Sequence, residues 1–227
     1  MCKSFPVITI DGPSSAGKGT LCVKLAQYLN WNLIDSGIIY RLIALIAINH
    51  KISFNDEKSL IKIAMKLNIK FKIVSGNLVI ILKNKQVNEK FLRNEKVGMT
   101  ASNISKSIML RMFLLNYQRS FRKYPGLLAD GRDMGTVVFP DANLKIFLHA
   151  SIQERANRRM KQLRKYGFNC NLKNLLLKMK IRDLKDKNRK ISPLIPAPDA
   201  LIFDSSYLTI DEMTNKILKY IKQIINL

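Results

Sequence analysis

The chain has 227 residues, of which 47% are hydrophobic, enough for a sizeable core in one domain or in one domain with insertions. It carries 39 lysine and arginine residues against 16 aspartate and glutamate residues, a formal net charge of +23. No run approaches the ~20 apolar residues of a bilayer-spanning helix, and no basic segment with a long apolar core opens the chain, so we expect a cytoplasmic protein without a membrane partner.

The strong positive charge has two interpretations. A basic surface attracts nucleic acids and nucleotides through their phosphates. The lysines, however, are scattered along the whole chain together with many isoleucines and asparagines, a combination that an AT-rich genome encodes. We therefore expect most of the charge to lie on solvated faces, and we expect no specific nucleic-acid partner.

A strand, a glycine-rich loop and a helix follow one another near the N-terminus. The β-branched run Val7–Ile10 predicts a buried strand, and Leu21, Leu25 and Leu29 share one face of the helix after the loop. The loop fits the G-x-x-x-x-G-K pattern, in which backbone N–H groups and a helix N-terminus bind phosphate. The predicted ATP-binding residues are Gly12, Pro13, Ser14, Ser15, Ala16, Gly17, Lys18, Gly19 and Thr20.

Two details of this loop bear on its chemistry. Lys18 is predicted to reach the β- and γ-phosphates as a mobile point charge. Gly19 occupies the usual Ser/Thr position after the lysine, and the hydroxyl arrives one residue later at Thr20. We therefore expect Mg²⁺ to be held mainly by phosphates and water, with Thr20 as the candidate protein ligand. The alternative is a glycine-rich turn that binds no ligand.

The next segment contains a short strand and two helices. Leu33–Asp35 is the strand, and helical patterns run over about 38–47 and 55–67. Ligands of open α/β sheets bind beyond the carboxyl ends of the strands. Asp35, Ser36 and Arg41 are therefore predicted to lie beside the phosphate loop, with a surface arginine as the alternative for Arg41.

The hydrophobic period then changes twice. Residues 71–74 and 78–82 predict a β-hairpin with a turn at 75–77, and a third strand is predicted near 86–87. Such an antiparallel unit is an insertion in a parallel fold. From about Asn94 the helical period returns, and it predicts a core-facing stripe of Ile104, Ile108, Met112 and Leu115.

Two more core strands are predicted at 126–130 and 144–148. Ser151 and Glu154 then form a predicted capping box for a helix. On that helix Arg155, Arg158 and Arg159 share a face, because i, i+3 and i+4 positions are neighbours. We interpret these like charges as a phosphate-facing surface, with a solvated basic face as the alternative.

The C-terminal part of the chain contains a charged segment, a strand and a helix. Residues 163–198 are rich in charge and end in prolines, which favours a flap over an active site. Residues 200–204 predict the last strand, and Thr209 with Glu212 predicts a second capping box. The closing helix is predicted to bury Met213, Ile217, Ile221 and Ile224.

Strands alternating with helices predict an α/β fold of the P-loop NTPase type: a five-stranded parallel sheet covered on both faces by helices, with the antiparallel insertion and a flexible LID. Phosphoryl transfer needs positive charge around the transferred group and exclusion of water. Arginines at strand ends, helix starts and the flap meet that need and indicate a small-molecule kinase. They are Arg41, Arg132, Arg155, Arg159, Arg182 and Arg189.

Five segments together carry a resemblance to a known family. They are residues 12–20, 35–41, 130–140, 154–159 and 182–189. Across essentially the whole chain the sequence resembles the bacterial cytidylate kinases, P-loop nucleoside monophosphate kinases that transfer the γ-phosphoryl group of Mg·ATP to CMP or dCMP. The resemblance implies a monomeric kinase with a core of about 1–60, 112–155 and 190–227, an NMP-binding insertion of about 61–111 and a LID of about 156–189.

The resemblance also implies roles for individual residues. Ser36, Arg41 and Arg132 would hold the monophosphate, and Ser102, Arg111 and Asp133 would read the base. Asp186 and Arg189 would contact the ribose and close the flap. The implied catalytic residues are Lys18, Arg132, Arg155, Arg159, Arg182 and Lys185.

The base assignment has a chemical rationale, because a guanidinium such as Arg111 can donate to O2 and N3 of cytosine while Asp133 or Ser102 accepts from N4. The chain departs from the family at Ser15, where glycine is usual and a negative φ would be needed, and at Lys185, where arginine is common. Two other functions remain open, a kinase for UMP or AMP and a basic P-loop protein that binds RNA.

Overall fold

The computed structural model describes residues 5–225. Its strands are β1 (Val7–Asp11), β2 (Asn32–Asp35), β3 (Ile69–Val74), β4 (Asn77–Leu82), β5 (Lys85–Gln86), β6 (Leu127–Gly131), β7 (Leu144–His149) and β8 (Leu201–Asp204). Its α-helices are α1 (Lys18–Leu29), α2 (Ser36–Asn49), α3 (Glu57–Met65), α4 (Glu89–Arg93), α5 (Glu95–Ile104), α6 (Ile108–Arg119), α7 (Ile152–Lys165), α8 (Leu172–Lys187) and α9 (Ile210–Ile225). A π-helical turn spans Met134–Val138.

The chain folds as two compact units. The first unit comprises Met1–Ile34 and Phe121–Leu227, and the second comprises Asp35–Ser120. No helix within residues 5–225 combines the length and the apolar character needed to cross a membrane.

The five-stranded sheet has the order β2-β6-β1-β7-β8 in the described part of the chain. Strand β1 pairs in parallel with β6 and β7, and β7 pairs in parallel with β8. All five residues of β1 are buried, as expected of a central strand covered on both faces. The predicted fold class is confirmed, and the phosphate loop follows directly from the middle strand.

The second unit contains the predicted antiparallel insertion. Strands β3, β4 and β5 form a three-stranded sheet within residues 5–225, and β3 pairs with β4 from Ile69↔Leu82 to Val74↔Asn77. The two turn residues, Ser75 and Gly76, have φ values of 48° and 77°. Two positive φ values match the twist that a two-residue hairpin loop requires, so the hairpin prediction is confirmed.

The predicted stripe from Ile104 to Leu115 is wrong in its central part. Two helices, α5 and α6, replace one continuous helix, and Ile108 and Met112 are 50% and 70% exposed. Ser107 caps α6 by accepting the N–H of Leu110 at 3.1 Å. The break at 105–107 changes the phase of the helical period, so that Leu110, Leu114 and Gln118 become the buried face.

The two predicted capping boxes have different outcomes. At α9 the box is complete: the Glu212 N–H donates to Thr209 Oγ1 at 3.2 Å, and the Thr209 N–H donates to Glu212 Oε2 at 2.8 Å. At α7, Ser151 Oγ accepts the Glu154 N–H at 3.2 Å, but the Ser151 N–H donates to Ser206. The predicted hydrogen bond from the Ser151 N–H to the Glu154 carboxylate is therefore wrong, because that carboxylate pairs with Arg158 instead. In α9, Ile224 is also exposed, while Met213, Ile217 and Ile221 are buried as predicted.

Candidate functional site

The phosphate loop joins β1 to α1 in the first unit. Gly12 has a φ of 148°, and a Cβ atom there would lie 2.0 Å from the carbonyl oxygen of Leu148 in β7. Gly17 has a φ of 99° and immediately precedes the first residue of α1. Both glycines are therefore required by backbone conformation, and Gly12 also by the close approach of β7.

Ser15 differs from the expectation for this position. Its φ is 62°, in the left-handed region, whereas a serine was expected only with a negative φ. A non-glycine residue in that region costs about 1–2 kcal/mol relative to the right-handed conformation. The loop therefore keeps the backbone shape that glycine would adopt, at some expense in stability.

Lys18 is 7% exposed and folds back over the loop. Its Nζ donates to the carbonyl oxygen of Pro13 at 3.0 Å and lies 3.7 Å from Oδ1 of Asp130 at the end of β6. The ammonium group is thus held among the residues of the loop. Asp130 was not among the predicted site residues, because only the pairing of β6 with β1 brings it to Lys18.

Two arginines of α7 donate hydrogen bonds to backbone carbonyl groups of the phosphate loop. Arg155 Nη1 donates to the carbonyl oxygen of Ser14 at 3.4 Å, and Arg158 Nη1 donates to that of Ala16 at 3.3 Å. Ser205, after β8, also donates its hydroxyl to the Ala16 carbonyl at 2.8 Å. These contacts hold loop carbonyl groups. Sequence reasoning missed Ser205, which lies 189 positions from its partner.

The α7 arginines also contact side chains. Arg155 Nη2 lies 2.7 Å from Asp183 Oδ2, and Arg159 Nη1 donates to Gln162 Oε1 at 2.6 Å. Arg155 and Arg159 are buried, and Arg158 is partly buried. Their predicted role toward phosphate stays a prediction.

A buried carboxylate gathers three predicted arginines. Arg132 Nε donates to Asp186 Oδ2, Arg182 Nε lies 3.9 Å from the same oxygen, and Arg189 Nη2 lies 4.0 Å from Oδ1. Asp130 and Asp183 also act on the charge of Arg132, so the cluster contains carboxylates besides Asp186. Lys185 is half-buried on the same helix as Asp186.

The charges of this cluster shift one another's pKa. Burial raises the pKa of Asp186, but the attraction of Arg132, Arg182 and Arg189 outweighs it, so the pKa lies below its ordinary value. Burial likewise acts to lower the pKa of Arg132, but Asp186 outweighs it and the pKa is raised. Asp186 and Arg132 therefore both remain ionised at neutral pH.

Asp133 and Asp11 lie beside each other at the end of the central strands. Asp133 is buried and directly precedes the π-helical turn. Asp11, the last residue of β1, accepts the N–H groups of Met134 and Gly135 at 2.9 and 2.8 Å. Burial raises the pKa of Asp11 to about 7, the two amide hydrogen bonds and Lys18 act to lower it, and Asp133 acts to raise it. Sequence reasoning did not identify Asp11.

The predicted phosphate-binding residues of the second unit are held by neighbours that the sequence did not indicate. Ser36 Oγ accepts from Gln118 Nε2 at 2.8 Å. Arg41 donates from Nη1 to the Leu92 carbonyl, and a Cβ atom on Gly98 would lie 3.0 Å from Arg41 Nη2. Gly98 thus leaves room for the guanidinium group.

The predicted base-reading residues of the second unit are linked through Ser105. Arg111 Nη1 donates to the Ser105 carbonyl at 3.1 Å, and Ser105 Oγ donates to the Ser102 carbonyl at 2.9 Å. The Arg111 guanidinium lies 5.8 Å from the centroid of the Tyr40 ring, a cation–π distance. Ser102 Oγ is buried without a hydrogen-bond partner among residues 5–225.

The described residues do not form a metal cage. Among residues 5–225 no three His, Cys, Asp or Glu side chains cluster in a way that could hold a metal ion. Thr20, the candidate ligand, is exposed in the first turn of α1. This donor set fits a metal ion whose ligands are mostly phosphate oxygens and water.

Comparison with known proteins decides the family. The family model for cytidylate kinase matches residues 8–223. The chain belongs to the cytidylate kinase family. The predicted family and the kinase class are thereby confirmed.

Curated relatives in this family are similar over their whole length. A cytidylate kinase of Sodalis glossinidius is 52% identical over 222 residues, covering 98% of this chain and 97% of that protein. One of Pectobacterium carotovorum is 51% identical over 225 residues, covering 99% and 100%. Among solved structures, an uncharacterized protein from Eubacterium ventriosum matches at a TM-score of 0.52 with 14% identity, covering 96% of this chain and 98% of that chain, which supports the fold alone.

Proposed function

We propose that the protein transfers the γ-phosphoryl group of Mg·ATP to CMP or dCMP and releases ADP with CDP or dCDP. The observation that carries the proposal is a phosphate loop with a buried lysine, together with arginines gathered around the buried Asp186 carboxylate, in a chain of the cytidylate kinase family. Such a reaction needs positioning and charge stabilisation more than covalent chemistry.

On the donor side, residues 12–20 form the ATP-binding loop, and its backbone N–H groups, which Pro13 lacks, bind the phosphates. Lys18 exchanges the Pro13 carbonyl for β- and γ-phosphate oxygens, and Asp130 keeps its ammonium group in reach. Mg²⁺, bound mainly by the nucleotide and water with Thr20 as the candidate ligand, supplies neutralisation of phosphate charge when present.

On the acceptor side, Ser36, Arg41 and Arg132 bind the monophosphate. The pairing of the partly buried Arg132 with Asp186 supports this role, because a fixed guanidinium loses less freedom when it binds an anion. Asp186 and Arg189 contact the ribose.

Ser102, Arg111 and Asp133 select the base. Cytosine presents acceptors at O2 and N3 and a donor at N4, and uracil reverses two of these. The tether of Arg111 to Ser105 and Tyr40 supports a fixed donor. The buried Ser102 hydroxyl, without a hydrogen-bond partner in the described residues, supports a polar ligand there.

The remaining predicted catalytic residues, Arg155, Arg159, Arg182 and Lys185, stabilise the charge of the transferred phosphoryl group. Residues 156–189 form the LID that excludes water, residues 61–111 the NMP-binding insertion, and residues 1–60, 112–155 and 190–227 the core. We further propose that the protein is a cytoplasmic monomer that binds no specific nucleic acid.

Coupled turnover of CMP, dCMP, UMP and AMP with Mg·ATP tests this function. We expect CMP and dCMP to be preferred over UMP by roughly 10- to 150-fold, the effect of one reversed charged hydrogen bond. Arg111→Gln should remove most of that preference, whereas Lys106→Gln, an exposed neighbour, should keep it. Equal rates with CMP and UMP would overturn the assignment of the base-reading residues. ATP turnover that requires RNA, with no monophosphate accepting phosphate, would overturn the proposed kinase activity.

A further inference from the structure

The π-helical turn after Asp133 is capped from another strand. Its first residue, Met134, and the next, Gly135, donate their N–H groups to the two carboxylate oxygens of Asp11 in β1, at 2.9 and 2.8 Å. Asp11 is 5% exposed, so these hydrogen bonds are shielded from water. A buried carboxylate that accepts two amides in this way fixes the position of the peptide groups that donate to it.

The residue that would ordinarily cap this turn does not do so. Asp133 is the N-terminal flanking residue, and its side chain makes no capping hydrogen bond. Its backbone carbonyl serves the turn by accepting the N–H groups of Val137 and Val138 at 2.9 and 3.1 Å. An aspartate at this position usually caps with its own side chain. Because Asp11 performs that task, the Asp133 carboxylate is not used for capping.

The turn also packs closely against β1. A Cβ atom on Gly135 would lie 2.8 Å from Thr9 Oγ1, and one on Gly131 would lie 2.6 Å from Cγ of Met134. A side chain at either glycine would therefore push the turn away from its neighbours. This close packing adds to the two Asp11 hydrogen bonds in holding the turn, and with it the segment Arg132–Asp133, against the central strand.

We propose that Asp11 is a positioning residue for the acceptor nucleotide: by capping the turn in place of Asp133, it sets where Asp133 and Arg132 meet the substrate. The inference rests on the proposed roles of Asp133 in base reading and of Arg132 in monophosphate binding. Asp11 lies next to Gly12 of the ATP-binding loop, yet its hydrogen bonds go to the acceptor-side segment. Its loss should therefore affect the acceptor nucleotide more than ATP.

The protonation state of Asp11 offers a second test of its hydrogen bonds with Met134 and Gly135. A carboxyl group keeps its full acceptor capacity toward two N–H groups only when ionised. The charged groups that act on it are Asp133, which favours the proton, and Lys18, which opposes it. With burial, they bring the pKa to about 7. The KM for CMP should accordingly rise as pH falls below that value.

Steady-state kinetics of Asp11→Asn test the proposal. The variant replaces one acceptor oxygen by an amide NH₂ group that faces an N–H donor. We expect the KM for CMP to rise about tenfold and the KM for ATP to stay within about twofold. We also expect the KM for CMP in this variant to lack the rise below about pH 7 that we expect of the unmodified enzyme.

Thr9→Val is the matched control, because Thr9 touches the same turn but its hydroxyl has no hydrogen-bond partner within the described residues. It should leave both KM values unchanged. An unchanged KM for CMP in Asp11→Asn, or an equal rise for ATP, would overturn the proposal. If Asp133→Asn leaves the preference for CMP over UMP intact, the base assignment fails instead, independently of Asp11.

A measurement on the unmodified chain decides the matter even if Asp11→Asn does not fold. The amide proton resonances of Met134 and Gly135, followed by NMR, should shift together with a midpoint near pH 7. The amide proton of Asn143, which lies outside this contact, should not follow them. If Asp11 titrates and the Met134 and Gly135 resonances do not move with it, the two hydrogen bonds do not hold the turn and the proposal is overturned.

Discussion

Lys18 shows at the residue scale how the donor and acceptor tasks can be separated. Its contacts are with Pro13 and Asp130, on the side of the phosphate loop. Lys18→Ala should therefore lower turnover by roughly 100- to 1000-fold, the effect of removing one preorganised charge stabiliser. Calorimetry at about pH 9, well above the pKa of about 7 for Asp11, should find CMP binding within about threefold of the unmodified protein. Lys24→Ala, which removes an exposed lysine of the same helix, should leave turnover and CMP binding unchanged. Loss of CMP binding in Lys18→Ala would contradict the assignment of Lys18 to the ATP side.

Residues differ in how far their roles can be predicted from sequence. The phosphate loop is predictable because its function depends on backbone groups within one short segment. Asp11, Ser205 and Gln118 are not, since their partners lie 123, 189 and 82 positions away. An aspartate before a glycine or a serine after a strand has no distinguishing pattern of its own. Only the pairing of strands and helices reveals what such a side chain contacts.

Helix α6 shows at the element scale what a single cap determines. Ser107 ends the break after α5 and sets the phase that buries Leu110, Leu114 and Gln118. A stripe extrapolated across the break misses this change of phase, because periodicity carries no information on where one helix stops. The hairpin, by contrast, was predictable, since its turn residues are local to it.

Removal of the α6 cap should have a defined cost. Ser107→Ala should reduce the free energy of unfolding by about 1 kcal/mol and lower the thermal midpoint by about 2–4 °C, because the N–H of Leu110 loses its acceptor. Calorimetry of the thermal transition measures this. Ser120→Ala, whose exposed hydroxyl donates to the Tyr117 carbonyl at the other end of the helix, should change the midpoint by less than half as much. Equal losses in the two variants would show that Ser107 does not act as a cap.

For the whole molecule, alternating strands and helices predict the sheet but not its order. Buried β-branched runs and amphipathic helices are local signals, and they located all five strands of the large sheet found in residues 5–225. The order β2-β6-β1-β7-β8 places β1 between strands more than 100 positions later in the chain. Such non-local pairing follows from packing of the complete chain, so it had to be observed.

The net charge of +23 leads to a prediction about the entire molecule. If the charge is mostly solvated, as the scattered lysines indicate, like charges repel one another in the folded state and salt should relieve that repulsion. Raising NaCl from about 0.1 to about 1 M shortens the screening length from about 10 to about 3 Å. The thermal midpoint should then rise by about 2–4 °C. A variant with Lys216, Lys219 and Lys222 changed to glutamine, all exposed on α9, should respond less because three repelling charges are gone. A midpoint that falls with salt in both proteins would show that attractive ion pairs, and not repulsion, dominate the electrostatics of the fold.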